Sequence, residues 1–429
     1  MKHTRIDQML AHRVTVYSPP GRKADPRRAS QERKNPVLAW VATYPEPQKA
    51  TFERNALMAV TNFAALQPQQ KIYWSKKTWT AAREDMFVNK FLGDGPSAII
   101  QHVTELTQTE KGTQALMSMV ADLVGDGVVG DNWREGNEEE MQASWQEIKI
   151  DLISNQVRTK GKLAEQRSVI SFRNVAKDRL AYWLANRVDE LAILTLSGIS
   201  YSFNTDGSAR VGSAFPSLDF AADVSAPSAK RYLTWDGSNL IPGDNSSITS
   251  AGVPKYKMIV DLIAYAKTHR IRPVTNAGKK YYVLLVQPGT LAALKMDPLW
   301  QNGLTNAGVR GDQNPWFTGA TVTVDGAIIH ESNMVYSTLG AAPGSKWGAG
   351  GNVNGTRTLL LGAQALGFAD IEQSGSPWVE KEFDYETKMG ISIDRFVGFV
   401  KPKFYSIYDK SVEDFAVVAV DHYLPNSGQ

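Results

Sequence analysis

The chain has no cysteine among its 429 residues. That absence excludes disulfides, thiolate metal sites and cysteine nucleophiles together. Any toughness must therefore come from packing and from burial between chains. Histidine is scarce: the six are His3, His12, His102, His269, His330 and His422. They are scattered, with no HExxH or HxH spacing, so a zinc site has no support. No serine lies in a GxSxG context, which leaves no nucleophile elbow. No apolar run approaches the roughly 18 residues of a membrane-spanning helix. The N-terminus lacks the apolar core of a secretory signal, so the expected location is the cytoplasm of the producing cell. No segment repeats at a fixed period.

What is present is the composition of a soluble globular protein, 42% hydrophobic and 21% charged, which argues against disorder of the whole chain. The length favours two or three domains over one core. The net charge is +3, unevenly placed. Residues 1–34 hold nine basic residues (Lys2, Arg5, Arg13, Arg22, Lys23, Arg27, Arg28, Arg33, Lys34) against Asp7, Asp25 and Glu32, a local charge of +6 that leaves −3 for the remainder. A basic arm on a mildly acidic body suits a polyanion or an acidic partner surface, and a solvated terminus explains it about as well. Prolines 19, 20, 26, 36, 45 and 47 make residues 1–50 an extended arm.

Periodicity organises the rest. Residues 51–66 and 76–92 have helical spacing, with Phe52, Ala56, Val60 and Phe63 on one face of the first. Residues 146–158 alternate as a strand through Ile148, Ile150 and Leu152, and 116–124 is a plausible partner strand. Between them lies a solvated hairpin tip with Gly125, Gly127, Gly130 and Gly136 and a run of glutamates. From Ser171 to Ser197, Phe172, Val175, Ala176, Leu180, Trp183, Leu184, Val188, Leu191 and Leu194 form one apolar stripe, with Ser171 as N-cap and Gly198 as the residue beyond the C-cap. Residues 199–254, rich in Ser, Gly, Asp and Pro, read as an insertion. Residues 255–269 return to helix, 280–286 form a buried strand, and 288–295 a short helix. Residues 320–331 form a hairpin around Asp325-Gly326, and 340–355 a glycine-rich loop. From 357 onward the chain is strand-like.

Several motifs have a functional and a bland reading. Gly125-Asp126-Gly127-Val128-Val129-Gly130 spells GxGxxG, but the acidic DNWREGNEEE that follows has no apolar helical face and would repel a phosphate. Glu135, Glu138, Glu139 and Glu140 lack the ligand order of an EF-hand and read as a solvated charge run. Glu380/Glu382 and Asp384/Glu386, on an expected strand, have a spacing compatible with acid/base work but equally with an ordinary surface strand. Arg310-Gly311-Asp312 reads as a tight loop. The 11 tryptophans include several in polar contexts (Trp133, Trp145, Trp235, Trp300, Trp316, Trp347, Trp378), which suits interfaces as well as a core.

The hairpin tip GDGVVGDNWREGNEE, the return strand ending VRTKGKLAEQR and the helix FRNVAKDRLAYWLANRVDE resemble the major capsid proteins of tailed bacteriophages, of the podophage type. So do KYYVLLVQPGTLAALKMDPLWQN, NAGVRGDQNPWFTGATVTVDGAIIHE and the late WVEKEFDYETKMGISI. The match runs in order from about residue 111 to 421, interrupted at 199–254. The resemblance implies an α+β chain with the Hong Kong 97-type capsid fold and no catalytic role or cofactor. The implied divisions are an N-terminal arm (1–75), a helical connecting segment (76–111), an extended hairpin termed the E-loop (112–165), a spine helix (166–198), the insertion (199–254), an axial domain (255–345) and peripheral-domain strands to the C-terminus (346–429).

It further implies self-assembly, as hexamers and pentamers, into an icosahedral head built in the bacterial host cytoplasm. Portal and scaffolding proteins, an optional decoration protein and packaged double-stranded DNA are the implied partners, and no membrane. Expected inter-subunit residues are Gly125, Gly127, Gly130, Trp133, Glu135, Glu138, Glu139 and Glu140 at the tip. Their expected basic counterparts are Arg158, Lys160, Lys162 and Arg167. Arm residues Arg13, Arg22, Lys23, Arg27, Arg28, Arg33 and Lys34 would meet DNA or a neighbour. The alternatives are a tail-tube or decoration protein, or a carbohydrate- or nucleotide-acting enzyme.

Overall fold

The computed structural model describes residues 86–103, 114–120, 123, 125–139, 143–162, 172–276, 278–307, 323–371 and 378–425. The basic arm, the helix at 51–66, the first part of that at 76–92, Glu140, Arg167, Ser171, Trp316 and the Arg310-Gly311-Asp312 loop lie outside them.

In chain order the strands begin with β1 (Leu92–Gly93), β2 (Ile100–Val103), β3 (Gln114–Val120), β4 (Ala143–Lys149) and β5 (Asp151–Arg158). The long helix α1 (Phe172–Ser197) follows, then β6 (Tyr232–Trp235), β7 (Leu240–Pro242), α2 (Tyr256–Thr268), β8 (Val274–Asn276) and β9 (Lys279–Val286). Next come α3 (Pro288–Met296), α4 (Pro298–Ala307), β10 (Thr323–Val324), β11 (Ala327–Glu331), β12 (Gly355–Leu361) and β13 (Leu366–Ile371). The chain closes with β14 (Trp378–Phe383), β15 (Lys388–Val400), β16 (Lys403–Ser406), β17 (Ser411–Asp414) and β18 (Val417–Tyr423).

Two sheets organise the described residues. One runs β1-β2-β13-β15-β14, with β5 along the other edge of β15. The second runs β10-β11-β9-β12-β18-β6-β7, with β8 beside β9. Its middle strand β12 is buried at all seven positions, as an apolar strand covered on both faces must be. Asp325 and Gly326 both take positive φ, 45° and 87°, and close the β10–β11 hairpin as the Asp-Gly pair predicts.

Helix α1 is about 39 Å long at 1.5 Å per residue, and it packs along β15 and β5 while its C-terminal end reaches β12 of the other sheet. Its burial departs from a simple stripe. Val188 to Ser197 are buried on every side, whereas Val175, counted on the apolar face, is 42% exposed. The C-terminal half lies between the sheets, so no face is left for water. The helix ends in a Schellman arrangement: Ile199 N–H donates to the Leu194 carbonyl (3.0 Å) and Gly198 N–H to that of Thr195 (3.1 Å), with Gly198 at φ +66°. A Cβ at Gly198 would fall 2.4 Å from the Ser225 carbonyl oxygen, so glycine is required by space as well as by φ.

Three expectations about domain division need correction. The segment 76–111, expected to be helical, holds a single 3-10 turn (Val88–Phe91) and the strands β1 and β2 among its described residues, because both strands pair into the sheet of β13. Residues 199–254, expected either as a surface insertion or as part of the axial domain, are woven into the body rather than set on its surface. Tyr201, Phe220 and Trp235 have no exposed surface, and β6 pairs in parallel with β18. The polar composition misled because these residues cross the core as short pieces anchored by single aromatics; Tyr201, Phe220 and Phe399 stack edge to face at 5.8 Å steps. The boundary at 345/346 does not follow the sheets either. Strands β12 and β18 join β9, while β13 and β15 join β5. Strand pairing over long separations decides this, and it leaves no trace in local periodicity.

Candidate functional site

The strongest candidate is the β3–β4 ribbon, whose ends differ in character. At its base, Ala115 and Met117 on β3 and Ile148 on β4 are buried against Ala369 and Val400 in a small cluster apart from the main core. Each large side chain there contributes roughly 1.5–3 kcal/mol. Two glycines permit the close seating. A Cβ at Gly398 would meet the Lys149 carbonyl oxygen at 2.2 Å, and one at Gly367 would meet Ile148 and Met117 at 2.9 Å.

The other ribbon face is open. Leu116 is 49% and Trp145 69% exposed, and the register of Leu116 opposite Glu147 makes them diagonal neighbours.

At the far end, residues 125–139 are exposed except Val128, which is partly covered. Val129 is 76% and Trp133 79% exposed. Gly127 and Gly130 take φ of +67° and +69° with open space around them. No helix follows within the described tip, so the GxGxxG does not have the strand-turn-helix context of a nucleotide site.

The tip is ordered by its own bonds. Glu139 accepts the Gly125 N–H at 2.8 Å and Glu138 that of Gly136 at 2.7 Å. Asn132 and Asn137 donate to the carbonyls of Val129 and Trp133. Two of the glutamates thus cap backbone while keeping their charge in solvent.

The basic group sits elsewhere. Arg158, Lys160 and Lys162 are exposed, and the Arg158 guanidinium lies 5.7 Å from the Phe383 ring centroid. They stand at the opposite end of the β4–β5 strand from the tip, about 50 Å of chain at 3.3 Å per residue. Among the described residues, the structure therefore does not bring the acidic and basic groups together within one subunit.

The acid pairs offer no catalytic geometry. Asp384 and Glu386 lie in a turn, at φ 56° and 63°, not on a strand as expected, and Asp384 pairs with Lys388 at 2.8 Å. The strand reading failed because a four-residue reversal between β14 and β15 interrupts the alternation. Glu380 accepts the Trp378 indole N–H at 3.1 Å. Among the described residues no three His, Asp or Glu side chains gather as metal ligands, and no helix is long and apolar enough to cross a membrane.

The buried polar groups that sequence reasoning missed are structural ties. Asp421 takes a bidentate bond from Arg357 at 2.7 and 2.8 Å and a hydroxyl bond from Tyr232 at 2.7 Å. Asp189, on α1, accepts the N–H groups of Phe87 and Val88 at 2.7 and 2.9 Å, and burial still pushes its carboxyl up to about 6. Asp370 lies between His102 (2.5 Å) and Arg395 (2.6 Å). Burial would raise it, but the His102 bond and the Arg395 charge outweigh that and hold it at about 2. In β18, apolar residues run into Asp421-His422-Tyr423, a faint signal that a strand so buried must pair its charge.

Comparison with known proteins shows the family. The family model for phage capsid protein matches residues 62–426. The chain belongs to the phage capsid protein family. The major capsid protein of Pseudomonas phage KPP25 is 50% identical over 366 residues, 84% of this chain and 96% of that one. Among solved structures, the capsid of Ralstonia phage GP4 superposes with a TM-score of 0.66 at 22% identity, covering 80% of this chain and 92% of the other. The capsid of cyanophage Pam1 gives 0.58 at 18% identity, covering 79% and 92%. The fold is the Hong Kong 97-type capsid fold. The coat subunit is structural rather than enzymatic, and its place is the virion capsid, where many copies build the icosahedral shell.

Proposed function

We propose that the β3–β4 ribbon is the clasp by which each coat subunit holds the next around the hexamers and pentamers of the shell. The observation that carries this reading is the exposure of Trp133 and Val129 at the tip, 79% and 76%. Large apolar side chains on a projecting tip gain by burial against another surface. A two-stranded ribbon is also marginal alone and is stabilised by lying on a neighbour. Its glycines let the tip follow the differing curvature of five- and six-membered rings.

The tip carboxylates of Glu135, Glu138, Glu139 and Glu140 meet basic side chains across the subunit boundary. Arg158, Lys160 and Lys162, at and after the end of β5, offer further charge for neighbours, and Arg167 adds to it. The basic arm, through Arg13, Arg22, Lys23, Arg27, Arg28, Arg33 and Lys34, faces packaged double-stranded DNA without reading its sequence. A portal, a scaffolding protein and an optional decoration protein complete the partners of such a head.

Replacing residues 125–139 by a short Gly-Ser turn leaves the core untouched and is expected to abolish closed particles in electron micrographs. Normal shells from that variant would refute the clasp.

A further inference from the structure

A cavity of about 460 Å³ opens between the end of α2, the segment after it and the β16–β17 hairpin. Its chemistry differs from the core around it. Lys267, Arg270 and Arg272 line it with His269, and among the described residues no carboxylate does. Its walls are aromatic: Tyr282, Phe404, Tyr405, Tyr408 and Phe415. Tyr405 and Tyr408 are 50% and 39% exposed.

The cavity is a built one. Arg270 adopts φ +50°, rare for a residue with a side chain. It stacks 4.2 Å from the Tyr408 ring centroid and donates to the Tyr408 hydroxyl at 2.6 Å. Tyr282 is fixed by its hydroxyl bond to the Ile271 carbonyl at 2.8 Å, and Phe404 packs edge-on to Phe415 at 5.0 Å. The nearby Asp409 carboxylate is buried and already engaged by Arg231 (3.0 Å) and His269 (2.6 Å). Among the described residues it therefore leaves Arg270 and Arg272 without a compensating carboxylate at the mouth.

A cationic mouth over aromatic walls fits a partner with one large flat side chain flanked by carboxylates. The chain itself carries that combination. Residues 125–139 hold Asp126, Asp131, Glu135, Glu138 and Glu139 against Arg134 alone, a net charge of −4, around the exposed Trp133.

We propose that this cavity is the receptor for the hairpin tip of a second copy of the chain, with the Trp133 indole between Tyr405 and Tyr408 and the tip carboxylates on Arg270 and Arg272. The assignment rests on the clasp reading and adds the surface on which the clasp closes. Volume supports it, since the cavity falls within the range that holds one compact apolar group with a few polar contacts, about 300–1,000 Å³. Charge supports it as well: opposite potentials steer the encounter and fix the register of the tip.

The full-length chain tests this directly. Reversing the mouth with Arg270→Glu and Arg272→Glu, both exposed side chains, is expected to leave the free subunit folded by circular dichroism. Shell yield should fall at least about tenfold, the scale of losing close interfacial charge pairs. Adding Asp131→Lys and Glu135→Lys to that variant should restore shells. Because the chain has no cysteine, Trp133→Cys with Tyr405→Cys gives an independent readout: a ladder of covalent oligomers under mild oxidant, which requires Cα atoms within about 7 Å.

Normal shells from the mouth reversal, or neither rescue nor ladder, overturn the receptor. If residues 125–139 remain essential in that case, the clasp survives and only its landing site is wrong. If the tip is dispensable, both fall. Normal shells that retain less DNA would assign the cavity to nucleic acid and also overturn the proposal.

Discussion

Arg357 is the side chain whose loss the structure predicts in most detail. It lies on β12, is 5% exposed, and faces Asp421 on β18, which has no exposed surface. Two of its nitrogens hold the Asp421 carboxylate at 2.7 and 2.8 Å, and the third donates to the Ser197 carbonyl at the end of α1, also 2.7 Å. One guanidinium thus ties the spine helix to two central strands. Burial by itself would favour loss of the Arg357 proton, but Asp421 more than compensates and keeps it charged.

The variant Arg357→Met keeps most of the stem volume and deletes the charge. Among the described residues Asp421 would retain only the Tyr232 hydroxyl, and an unpaired buried charge costs about 3–5 kcal/mol. The orphaned Ser197 carbonyl adds roughly 1 kcal/mol or more. Urea unfolding of the unassembled subunit, followed by tryptophan fluorescence, should therefore show a loss of at least ~3 kcal/mol. The double variant Arg357→Met with Asp421→Leu should recover most of it, because replacing a buried pair by apolar groups is often nearly neutral. A coupling energy of about 2 kcal/mol or more is expected from the full cycle. A single variant within about 1 kcal/mol of the wild type would refute the view that this pair is fully desolvated.

Three further outcomes follow from the same reasoning. His422 is buried and neutral, accepting from the Thr358 hydroxyl at one ring nitrogen and donating to the Tyr423 carbonyl from the other, each at 2.9 Å; burial pushes it down to about 4. Its stabilising contribution is therefore complete above the ordinary histidine value near 6.5 and declines as pH falls toward 4, by about 2 kcal/mol at pH 5. His422→Asn should show a flatter stability profile over that window, and an unchanged slope would count against a buried neutral ring.

Asp189 works with the opposite sign. With its carboxyl raised to about 6, its favourable contribution is present below the ordinary aspartate value and is lost as pH rises through 6. Asp189→Asn should therefore remove a stability component that grows on acidification, and urea midpoints between pH 4 and 7 compare the two. Gly398→Ala should unseat the ribbon base from the Lys149 carbonyl. Limited proteolysis should then cut 114–149 faster than in wild type, while equal rates would show that the base is not held there.

Much of this coat subunit was legible before its structure. Helix α1 and its glycine stop, strands β4–β5, helix α2, strand β9 and the Asp325-Gly326 hairpin all follow from local rules, because periodicity and turn chemistry act within a few residues. The hairpin tip was legible for the same reason: glycines and glutamates without apolar periodicity can only be a solvated turn. The sequence alone also excluded thiol chemistry and carried the ordered motifs by which the family is known.

Tertiary structure decided the rest. It set which sheet β12 and β18 join, and it gave residues 199–254 their place in the core. It placed the basic residues after β5 about 50 Å of strand from the acidic tip. It gathered Arg270, Arg272 and three tyrosines, two of them on a distant hairpin, around one cavity. The reason is common to all of these: strand pairing, burial of charge and the lining of a cavity are set by residues far apart in the chain. Their energies depend on who the neighbour is, and no local pattern states that.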